Sequence, residues 1–276
     1  MNSKETTNFA QQYGPWALVA GASEGLGAAF ARELASRGIN CVLVARNRNA
    51  LTSLQRELET KHGTKVRVLC QDLSEVDATK QLVNGTADLD IGLLIYNAGG
   101  DPYISHFLDT DDEHWSKLLR LNTETVLRTC HHFGKAMVAR RRGGVLLVGS
   151  HSALGGVRKL AMYSATKAFI LNLGESLWAE WQNHGVDVLN LLISTVDTPI
   201  IRETMQRLNL PHALTLELPA AADIANLALG HLTLGPTLIH PEDLNSKDQD
   251  VASLPGPLRK NHVIKKSDEA AVFIGT

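Results

Sequence analysis

A tyrosine and a lysine stand four residues apart in the segment Tyr163-Ser164-Ala165-Thr166-Lys167. In a helix this spacing places the phenol and the ammonium on one face. A free tyrosine has a pKa of about 10 and is a poor base at neutral pH, whereas a neighbouring positive charge favours the phenolate. The pair therefore predicts proton transfer by Tyr163, with Lys167 lowering its pKa. Ordinary amphipathic helices show the same spacing, so the prediction needs support from other residues.

A second candidate site is the glycine-rich segment that runs from Ala20 to Gly27. It lies between a short apolar run and a helical pattern near the start of the chain. Glycines let the backbone approach a pyrophosphate closely, and the N-terminus of the following helix offers unpaired N–H groups. The alternative is a tight structural turn, but this position between strand and helix favours a phosphate site. The candidate residues are Gly21, Ser23, Gly25, Leu26 and Gly27.

The end of the second predicted strand bears on the choice of nucleotide. An acidic residue at this point would bind the ribose 2′-OH of NAD and repel a 2′-phosphate. The sequence has Ala45-Arg46 instead, with Arg48 close by. A guanidinium is always charged and donates two parallel hydrogen bonds to a phosphate, so the pattern predicts NADP(H). Glu24 in the glycine turn weakens this prediction, and the alternative for Arg46 is a solvated cation at a helix start.

Strand and helix patterns alternate along the chain and must position these residues. The runs are continuously apolar, which indicates burial on both faces and hence a doubly wound parallel α/β sheet, the Rossmann fold, with helices on both faces. We predict a single domain over 1–276, with a substrate lid at about 194–218 and an irregular C-terminal tail at about 242–276. About seven strands are predicted, at 16–20, 40–45, 65–70, 91–96, 145–150, 186–193 and 236–240. Helices are predicted at 25–37, from Asn47, from about Glu75, and at 112–141, 162–183 and 219–234.

Composition excludes several classes of protein. The chain has 276 residues and a formal charge of −2, which argues against nucleic acid as the main partner. Its apolar runs are far shorter than the ~20 residues that span a bilayer, and its start lacks the apolar region of a signal peptide, so we expect a cytoplasmic protein. Cys41, Cys70 and Cys130 are expected to be buried, reduced thiols. The acids at 109–113 suit a helix start, and no metal site is expected.

Together these motifs resemble the short-chain dehydrogenase/reductase family over about residues 13–240. The resemblance is carried by the Gly-x-x-x-Gly-x-Gly turn, by Asn97-Ala98-Gly99 after the fourth strand, and by the Tyr-x-x-x-Lys pair. It implies that six further positions lie at the cofactor: Asp72 and Leu73 near adenine, Asn97 and Gly99 in the structural motif, and Val196 and Thr198 near the carboxamide or pyrophosphate. Three positions depart from the family pattern: Ala20 replaces Thr, Tyr96 replaces Asn, and Ile193-Ser194 replaces Pro-Gly.

The resemblance also assigns catalytic roles for hydride transfer between a nicotinamide and a carbonyl or carbinol carbon. Ser150 is expected to hold the substrate oxygen, with Ser152 as the alternative serine. Tyr163 is expected to donate or accept the proton and to contact the cofactor, with its pKa lowered by Lys167 and by the positive nicotinamide ring. Lys167 is also expected to bind the nicotinamide ribose. Asn122 is expected to support a proton relay through water. Its alternative is an exposed helix asparagine, since asparagine is a mediocre helix former.

Substrate and assembly are predicted less directly. Apolar residues in 200–216 suit an apolar ketone or alcohol such as a steroid or acyl ketone, although they could equally pack a helix onto the protein. The segments 13–16 and 167–170 are similar to family members that act on hydroxysteroids or ketoacyl groups. An alternative function is a catalytically silent nucleotide-binding regulator.

We expect a homodimer or homotetramer that pairs through the helices of Asn122 and Tyr163, unless the apolar residues there serve only the core. Those residues are Leu118, Val126, His132, Phe133, Phe169, Leu173 and Trp178.

Overall fold

The computed structural model describes residues 9–210, 215–240 and 256–274. Seven strands form one parallel sheet, and their bounds are β1 Trp16–Ala20, β2 Asn40–Ala45, β3 Val66–Cys70, β4 Ile91–Tyr96, β5 Gly143–Val148, β6 Val186–Ile193 and β7 Thr237–His240. The strand order is β3-β2-β1-β4-β5-β6-β7. The order reverses between β1 and β4, which opens a crevice at the carboxyl ends of these two strands.

Helices cover both faces of the sheet. Their bounds are α1 Gly25–Ser36, α2 Arg48–His62, α3 Ala78–Gly85, α4 Asp112–Leu119, α5 Thr125–Ala139, α6 Ala161–Trp181, α7 Pro199–Arg207, α8 Ala221–Gly230 and α9 Gly256–Ile274. One buried cluster packs α1, α2 and α8 on the sheet, and a second packs α3, α5 and α6 on the opposite face. The predicted doubly wound parallel sheet is confirmed. In the described part of the chain no helix is long and apolar enough to span a membrane.

The start of α2 shows how local sequence specifies an element. The Asn47 side chain accepts a hydrogen bond from the backbone N–H of Ala50 at 3.1 Å, which satisfies one of the unpaired donors at the helix start. Leu51, Leu54 and Leu58 are buried against the sheet. Gly63 ends the helix in the left-handed region with φ of 67°. The predicted cap and apolar face of this helix are confirmed.

The long helix predicted at 112–141 is confirmed over 112–139, but one of its turns is not α-helical. A π-helical segment, Arg120–Glu124, separates α4 from α5. Two contacts from outside the helix hold this segment: the Tyr96 hydroxyl donates to the Leu121 carbonyl at 2.8 Å, and the Arg120 guanidinium donates to the Ser74 carbonyl at 2.9 Å. Tertiary hydrogen bonds thus accompany a change from α-helical to π-helical geometry that helix propensity does not indicate.

Two shorter predictions also need correction. The helix expected near Glu75 begins at Ala78, because the Asp72 carboxylate accepts hydrogen bonds from the backbone and hydroxyl of Ser74 and holds the preceding turn. The Gly143-Gly144 pair opens β5 and does not close the preceding helix. Because β5 ends at Val148, Ser150 lies two residues beyond the strand.

The irregular tail predicted at 242–276 is wrong over its described part, since 256–274 form the helix α9. Residues 241–255 lie outside the described residues. Pro257 stands in the first turn of α9, where proline is tolerated, and no proline or glycine follows before residue 275. The composition of the whole tail, rich in Pro, Asp and Lys, obscured this local helical pattern. The helix predicted at 219–234 is therefore not the last helix of the chain, and it spans only Ala221–Gly230, as α8.

Candidate functional site

Ser150 and Tyr163 meet beyond the carboxyl end of β5. The phenol of Tyr163, in the first turn of α6, makes a hydrogen bond with the Ser150 hydroxyl. The Ser150 oxygen also accepts hydrogen bonds from the Ser152 backbone at 3.2 Å and from the Ser152 hydroxyl at 3.0 Å. Ser152 is buried, so the geometry places Ser150 next to the phenol and Ser152 behind it.

Burial dominates the ionisation of the tyrosine and lysine. It raises the pKa of the Tyr163 phenol to about 12, although the hydrogen bond with Ser150 lowers it, and the Asp101 charge raises it further. Burial also lowers the pKa of Lys167 to about 8. The Lys167 ammonium lies 5.5 Å from the centre of the Tyr163 ring and donates to the Val148 carbonyl at 2.9 Å. In the protein without nucleotide, desolvation therefore raises the pKa of the phenol, and the lowering expected with the nicotinamide ring in place stays a prediction.

Asn122 lies in the π segment with no exposed surface, which rules out the exposed helix asparagine. A Cβ atom added to Gly99 would collide with the Asn122 amide oxygen and would lie 3.2 Å from the Lys167 ammonium. Gly99, Asn122 and Lys167 therefore lie together beside Tyr163. Neither polar atom of the Asn122 amide has a hydrogen-bond partner among the described residues. Buried amides normally have such partners, so this amide is free to serve a ligand or an ordered water.

The glycine turn is tied to the ends of two strands. The backbone N–H of Gly21 donates to the Val44 carbonyl at 2.8 Å, and the Asn97 amide donates to the Gly21 carbonyl at 2.9 Å. Gly21 has φ of 79°, and a Cβ added to it would lie 2.8 Å from the Ala98 nitrogen. A Cβ on Gly27 would collide with the Gly21 carbonyl. The backbone here is packed so closely that glycine is required at both positions.

The first turn of α1 fits an anion. Glu24 precedes the helix with extended backbone and makes no side-chain cap, and the turn contains no acidic residue. Its N–H groups are therefore available to a phosphate, as the helix dipole favours. Ser23 flanks this turn half-buried, whereas the Leu26 side chain is buried in the core, so Leu26 can offer only its backbone.

The loop after β6 closes over the glycine turn. A Cβ on Gly25 would lie 2.8 Å from the Thr198 methyl group, so these two predicted cofactor residues are adjacent. The Thr198 hydroxyl accepts from the Ile201 backbone at 3.4 Å and caps α7. Val196 is buried. The chain therefore places its glycine turn and its 196–198 loop together despite Ile193-Ser194.

Arg46 lies at the outer end of this crevice. Its side chain is 80% exposed, and its guanidinium is 3.9 Å from the Asp72 carboxylate. Burial raises the pKa of Asp72, but hydrogen bonds from Ser74 and the charge of Arg46 lower it more, so the net shift is downward. Leu73 is buried beside it. Among the predicted cofactor residues, Arg46 thus presents an exposed positive charge.

A cavity of about 370 Å³ opens from Ser150 and Tyr163. Part of its wall comes from α7, with Ile200, Ile201, Thr204 and Met205. The predicted lid at 194–218 contributes through this helix, while 211–214, and with them Leu214, lie outside the described residues. A second part of the wall was not predicted, and it comes from Gly100, Asp101, Glu269, Ala270 and Phe273. No local motif marks the three residues of α9, because this helix reaches the cavity only through the tertiary fold, whereas Gly100 and Asp101 directly follow the Asn97-Ala98-Gly99 motif.

The apolar residues expected at a subunit interface divide into two groups. Leu118, Val126 and Phe133 are buried in the core, so their predicted role at an interface is wrong. Of the other expected residues, His132 and Phe169 are exposed, whereas Leu173 and Trp178 are partly buried against the core. Leu119, Leu127 and Phe169 are the exposed apolar residues of this region. They line a groove of about 920 Å³ between the neighbouring helices.

Cysteines and acidic groups show no metal chemistry within the described ranges. Cys41 and Cys130 are buried free thiols, and Cys70 is a partly exposed one whose thiol donates to the Arg46 carbonyl at 3.2 Å. The expectation of burial is therefore wrong for Cys70. Across residues 9–210, 215–240 and 256–274 no three His, Cys, Asp or Glu side chains are grouped so that they could hold a metal ion.

A doubly wound nucleotide-binding fold with a Ser-Tyr-Lys group at the carboxyl ends of its strands defines a class of oxidoreductases. The short chain dehydrogenase family model matches residues 15–209, and the chain belongs to this family.

Relatives and solved structures agree with this assignment. The chain is 36% identical over 192 residues to a 7beta-hydroxysteroid dehydrogenase of Clostridium sardiniense, covering 70% of this chain and 73% of the relative. It is 36% identical over 199 residues to a very-long-chain 3-oxoacyl-CoA reductase of Podospora anserina, covering 70% of this chain but only 58% of that relative.

Two solved structures are similar over most of the chain. One, from work on 7beta-hydroxysteroid dehydrogenase stereoselectivity, has a TM-score of 0.84 at 26% identity and covers 94% of this chain and 99% of its own. The other, a short-chain dehydrogenase from Sphingobium yanoikuyae in complex with NADPH, has a TM-score of 0.74 at 26% identity and covers 88% of this chain and 97% of its own.

Proposed function

We propose that this chain is an NADP(H)-dependent oxidoreductase that transfers hydride between the nicotinamide and a ketone or secondary alcohol. The observation that carries the proposal is the contact between Ser150 and Tyr163 at the base of a cavity, with Lys167 and Asn122 buried directly behind them. When bound, the nicotinamide supplies or accepts the hydride, and the protein supplies the proton and the orientation.

Proton transfer is assigned to Tyr163. With a pKa of about 12 the phenol stays protonated at neutral pH, so it acts as the acid when a carbonyl is reduced. Ser150 holds the carbonyl oxygen beside the phenol, and the two hydrogen bonds from Ser152 fix the position of the serine oxygen. Lys167 would hold the nicotinamide ribose, and Asn122 would support a proton relay through water.

NADP(H) is supported by the two ends of the crevice. The uncapped first turn of α1 and the close-packed glycines suit the pyrophosphate, with Gly21, Gly25 and Gly27 required by their geometry. The exposed guanidinium of Arg46 suits a 2′-phosphate, since no carboxylate occupies position 45. Asp72 and Leu73 lie beside it for the adenine. The similar structure from Sphingobium yanoikuyae holds NADPH, which supports the same choice here.

The substrate is assigned to the apolar ketones and alcohols, such as a steroid or an acyl ketone. The cavity is of the size usual for small-molecule sites, and apolar side chains such as Ile201, Met205 and Phe273 form much of its wall. Relatives named for hydroxysteroids and for oxoacyl groups support both substrate types.

Assembly as a homodimer or homotetramer is proposed through the groove that contains Leu119, Leu127 and Phe169. Exposed apolar side chains in one groove favour burial against a second copy. The free cysteines fit the reducing cytoplasm, which we propose as the location.

The test is NADPH-dependent reduction over a panel of apolar ketones, comparing the natural chain with Tyr163→Phe. The variant keeps the ring and removes the acid, so turnover should fall at least ~10²-fold while NADPH still binds. Tyr103→Phe, which removes a phenol from the neighbouring loop, is the matched control and should keep its activity.

Two outcomes contradict the proposal. Near-normal turnover of Tyr163→Phe would show that another group is the acid. If the natural chain binds NADPH but reduces none of the ketones, the result favours a catalytically silent nucleotide-binding regulator of the same fold.

A further inference from the structure

The wall of the substrate cavity carries more acidic than basic side chains. Asp101 and Glu269 both line it, on the loop after β4 and on α9 respectively. Among the described residues of the wall none is a lysine or arginine, and His151 is the one basic side chain. With two carboxylates and one imidazole, acidic side chains outnumber basic ones among the described residues of this wall.

Asp101 is fixed in the wall with one oxygen satisfied and one without a donor. Its Oδ1 atom accepts hydrogen bonds from the backbones of Tyr103 at 2.9 Å and Ile104 at 3.3 Å. Its Oδ2 atom is buried and has no hydrogen-bond partner among the described residues. Arg207 is the cation that acts on this carboxyl, yet its effect is smaller than that of burial, which raises the pKa of Asp101. A buried carboxylate oxygen without a donor favours a ligand that supplies a hydrogen-bond donor.

Glu269 lies near the mouth of the same cavity. Its side chain is 51% exposed, and the Lys265 ammonium on the same helix is 3.6 Å away. A bond from the Arg158 backbone to the Ser267 hydroxyl at 3.0 Å and an ion pair of Arg158 with Asp268 at 3.7 Å attach α9 to the loop before α6. The helix therefore holds the Glu269 carboxylate beside the path of a substrate.

We propose that Asp101 and Glu269 make this site selective for charge, so that it takes neutral or cationic ketones and disfavours ketones whose carboxylate enters the cavity. The inference rests on the proposed function, because it concerns which carbonyl compounds reach Ser150 and Tyr163. Unlike charges attract and like charges repel most strongly where water is scarce, so Asp101 should act more strongly than the more exposed Glu269.

The experiment uses three ketones of one skeleton: para-acetylbenzoate, para-acetylbenzamide and para-(aminomethyl)acetophenone. Reduction by NADPH is measured at pH 7.5 for the natural chain, Asp101→Asn, Glu269→Gln and Glu203→Gln. Asparagine keeps the Oδ1 acceptor of the turn, and Glu203 makes the same charge change on α7 outside the cavity wall. Binding of each compound is also measured by calorimetry, which reports the charge preference without turnover.

The natural chain should favour the amine over the carboxylate by about tenfold in kcat/KM, with the amide between them. Asp101→Asn should narrow this ratio most, Glu269→Gln less, and Glu203→Gln not at all. Each variant is compared with its own turnover of the neutral amide, because Asp101 also acts on the pKa of Tyr163. Preference for the carboxylate, or an unchanged ratio in both cavity variants, would overturn the inference and leave the proposed function intact. If no ketone is reduced, the proposed function fails, and the calorimetric order alone decides the charge preference.

Discussion

The nucleotide end and the substrate end of this crevice are built in different ways. The glycine turn uses eight consecutive residues, and its shape depends on backbone: positive φ at Gly21, hydrogen bonds to Val44, and atoms too close for any side chain at Gly27. The substrate cavity uses side chains that the fold gathers from distant segments, between Gly100 and Phe273.

The two constructions tolerate change differently. A backbone site is lost when a methyl group is added at a packed glycine, because the neighbouring backbone must move. A side-chain wall can be altered one residue at a time, since the sheet and helices that carry it are packed elsewhere. This difference explains how one family can keep its nucleotide site while its substrates range from steroids to acyl ketones.

Lys167 lies between the two ends and should show the largest effect. Burial of its ammonium costs free energy, so Lys167→Met should gain about 1–3 kcal/mol of folding stability at pH 7. The same variant should lose at least ~10²-fold in turnover, because it removes the ammonium beside Tyr163. The folded pKa of about 8 lies below the unfolded value of 10.5, so the cost is full below pH 8. It fades as the pH rises toward 10.5.

Chemical denaturation of both proteins at pH 7 and pH 10 measures this difference. The variant should be the more stable at pH 7, and the gap should shrink at pH 10. A variant that is less stable at pH 7 would show that the bond to the Val148 carbonyl outweighs the cost of burying the charge.

Gly27→Ala tests the backbone construction of the nucleotide end. Its new methyl group would collide with the Gly21 carbonyl and lie 2.8 Å from the Asn97 amide, so it should cost roughly 1–3 kcal/mol of stability and weaken NADPH binding. Gly230→Ala is the matched control, because nothing lies within 4 Å of its added methyl group. Thermal unfolding and NADPH titration compare the two, and equal behaviour would contradict the close packing.

Much of the nucleotide end could be predicted from the sequence, because its signals are local. The apolar runs predicted the parallel sheet, Asn47 predicted the start of α2, and the glycine spacing predicted a turn between strand and helix. The structure confirms these elements. The features that the sequence did not predict depend on tertiary contacts. Hydrogen bonds of Tyr96 and Arg120 hold the π segment, and burial raises the pKa of Tyr163. Catalytic and cofactor roles stay predictions until the variants are measured.

Phe273→Ala tests the side-chain construction of the substrate end. The ring faces the cavity from α9, so its loss should raise KM for an apolar ketone and lower kcat/KM by about 5- to 30-fold, as expected for the loss of part of an aromatic contact. Val272→Ala, on the same helix but outside the cavity wall, is the control. NADPH affinity should be unchanged in both. Equal kcat/KM values for the two variants would place Phe273 outside the substrate path.

Arg46→Ala should have the smallest effect, because the nucleotide end meets solvent there. A hydrogen bond to a charged group contributes roughly 1.5–3 kcal/mol, but exposed ion pairs contribute about 1 kcal/mol or less. With a side chain that is 80% exposed, Arg46 should contribute about 3- to 10-fold in NADPH affinity. NADH affinity should change little, since NADH has no 2′-phosphate.

The charge of Asp72 bears on the NADPH affinity predicted for Arg46→Ala. Its carboxylate is 3.9 Å from the Arg46 guanidinium, and its pKa is shifted below its usual range, so it stays charged at neutral pH. Without Arg46 the negative charge would face the phosphate unopposed, and Ala45→Asp would add a second one and favour NADH. Titrating both cofactors against the natural chain, Arg46→Ala and the neighbouring Arg48→Ala at low and high salt separates the effects. The loss should be confined to NADPH and Arg46 and should shrink with salt, whereas a natural chain that prefers NADH would show that the NADP(H) assignment is wrong.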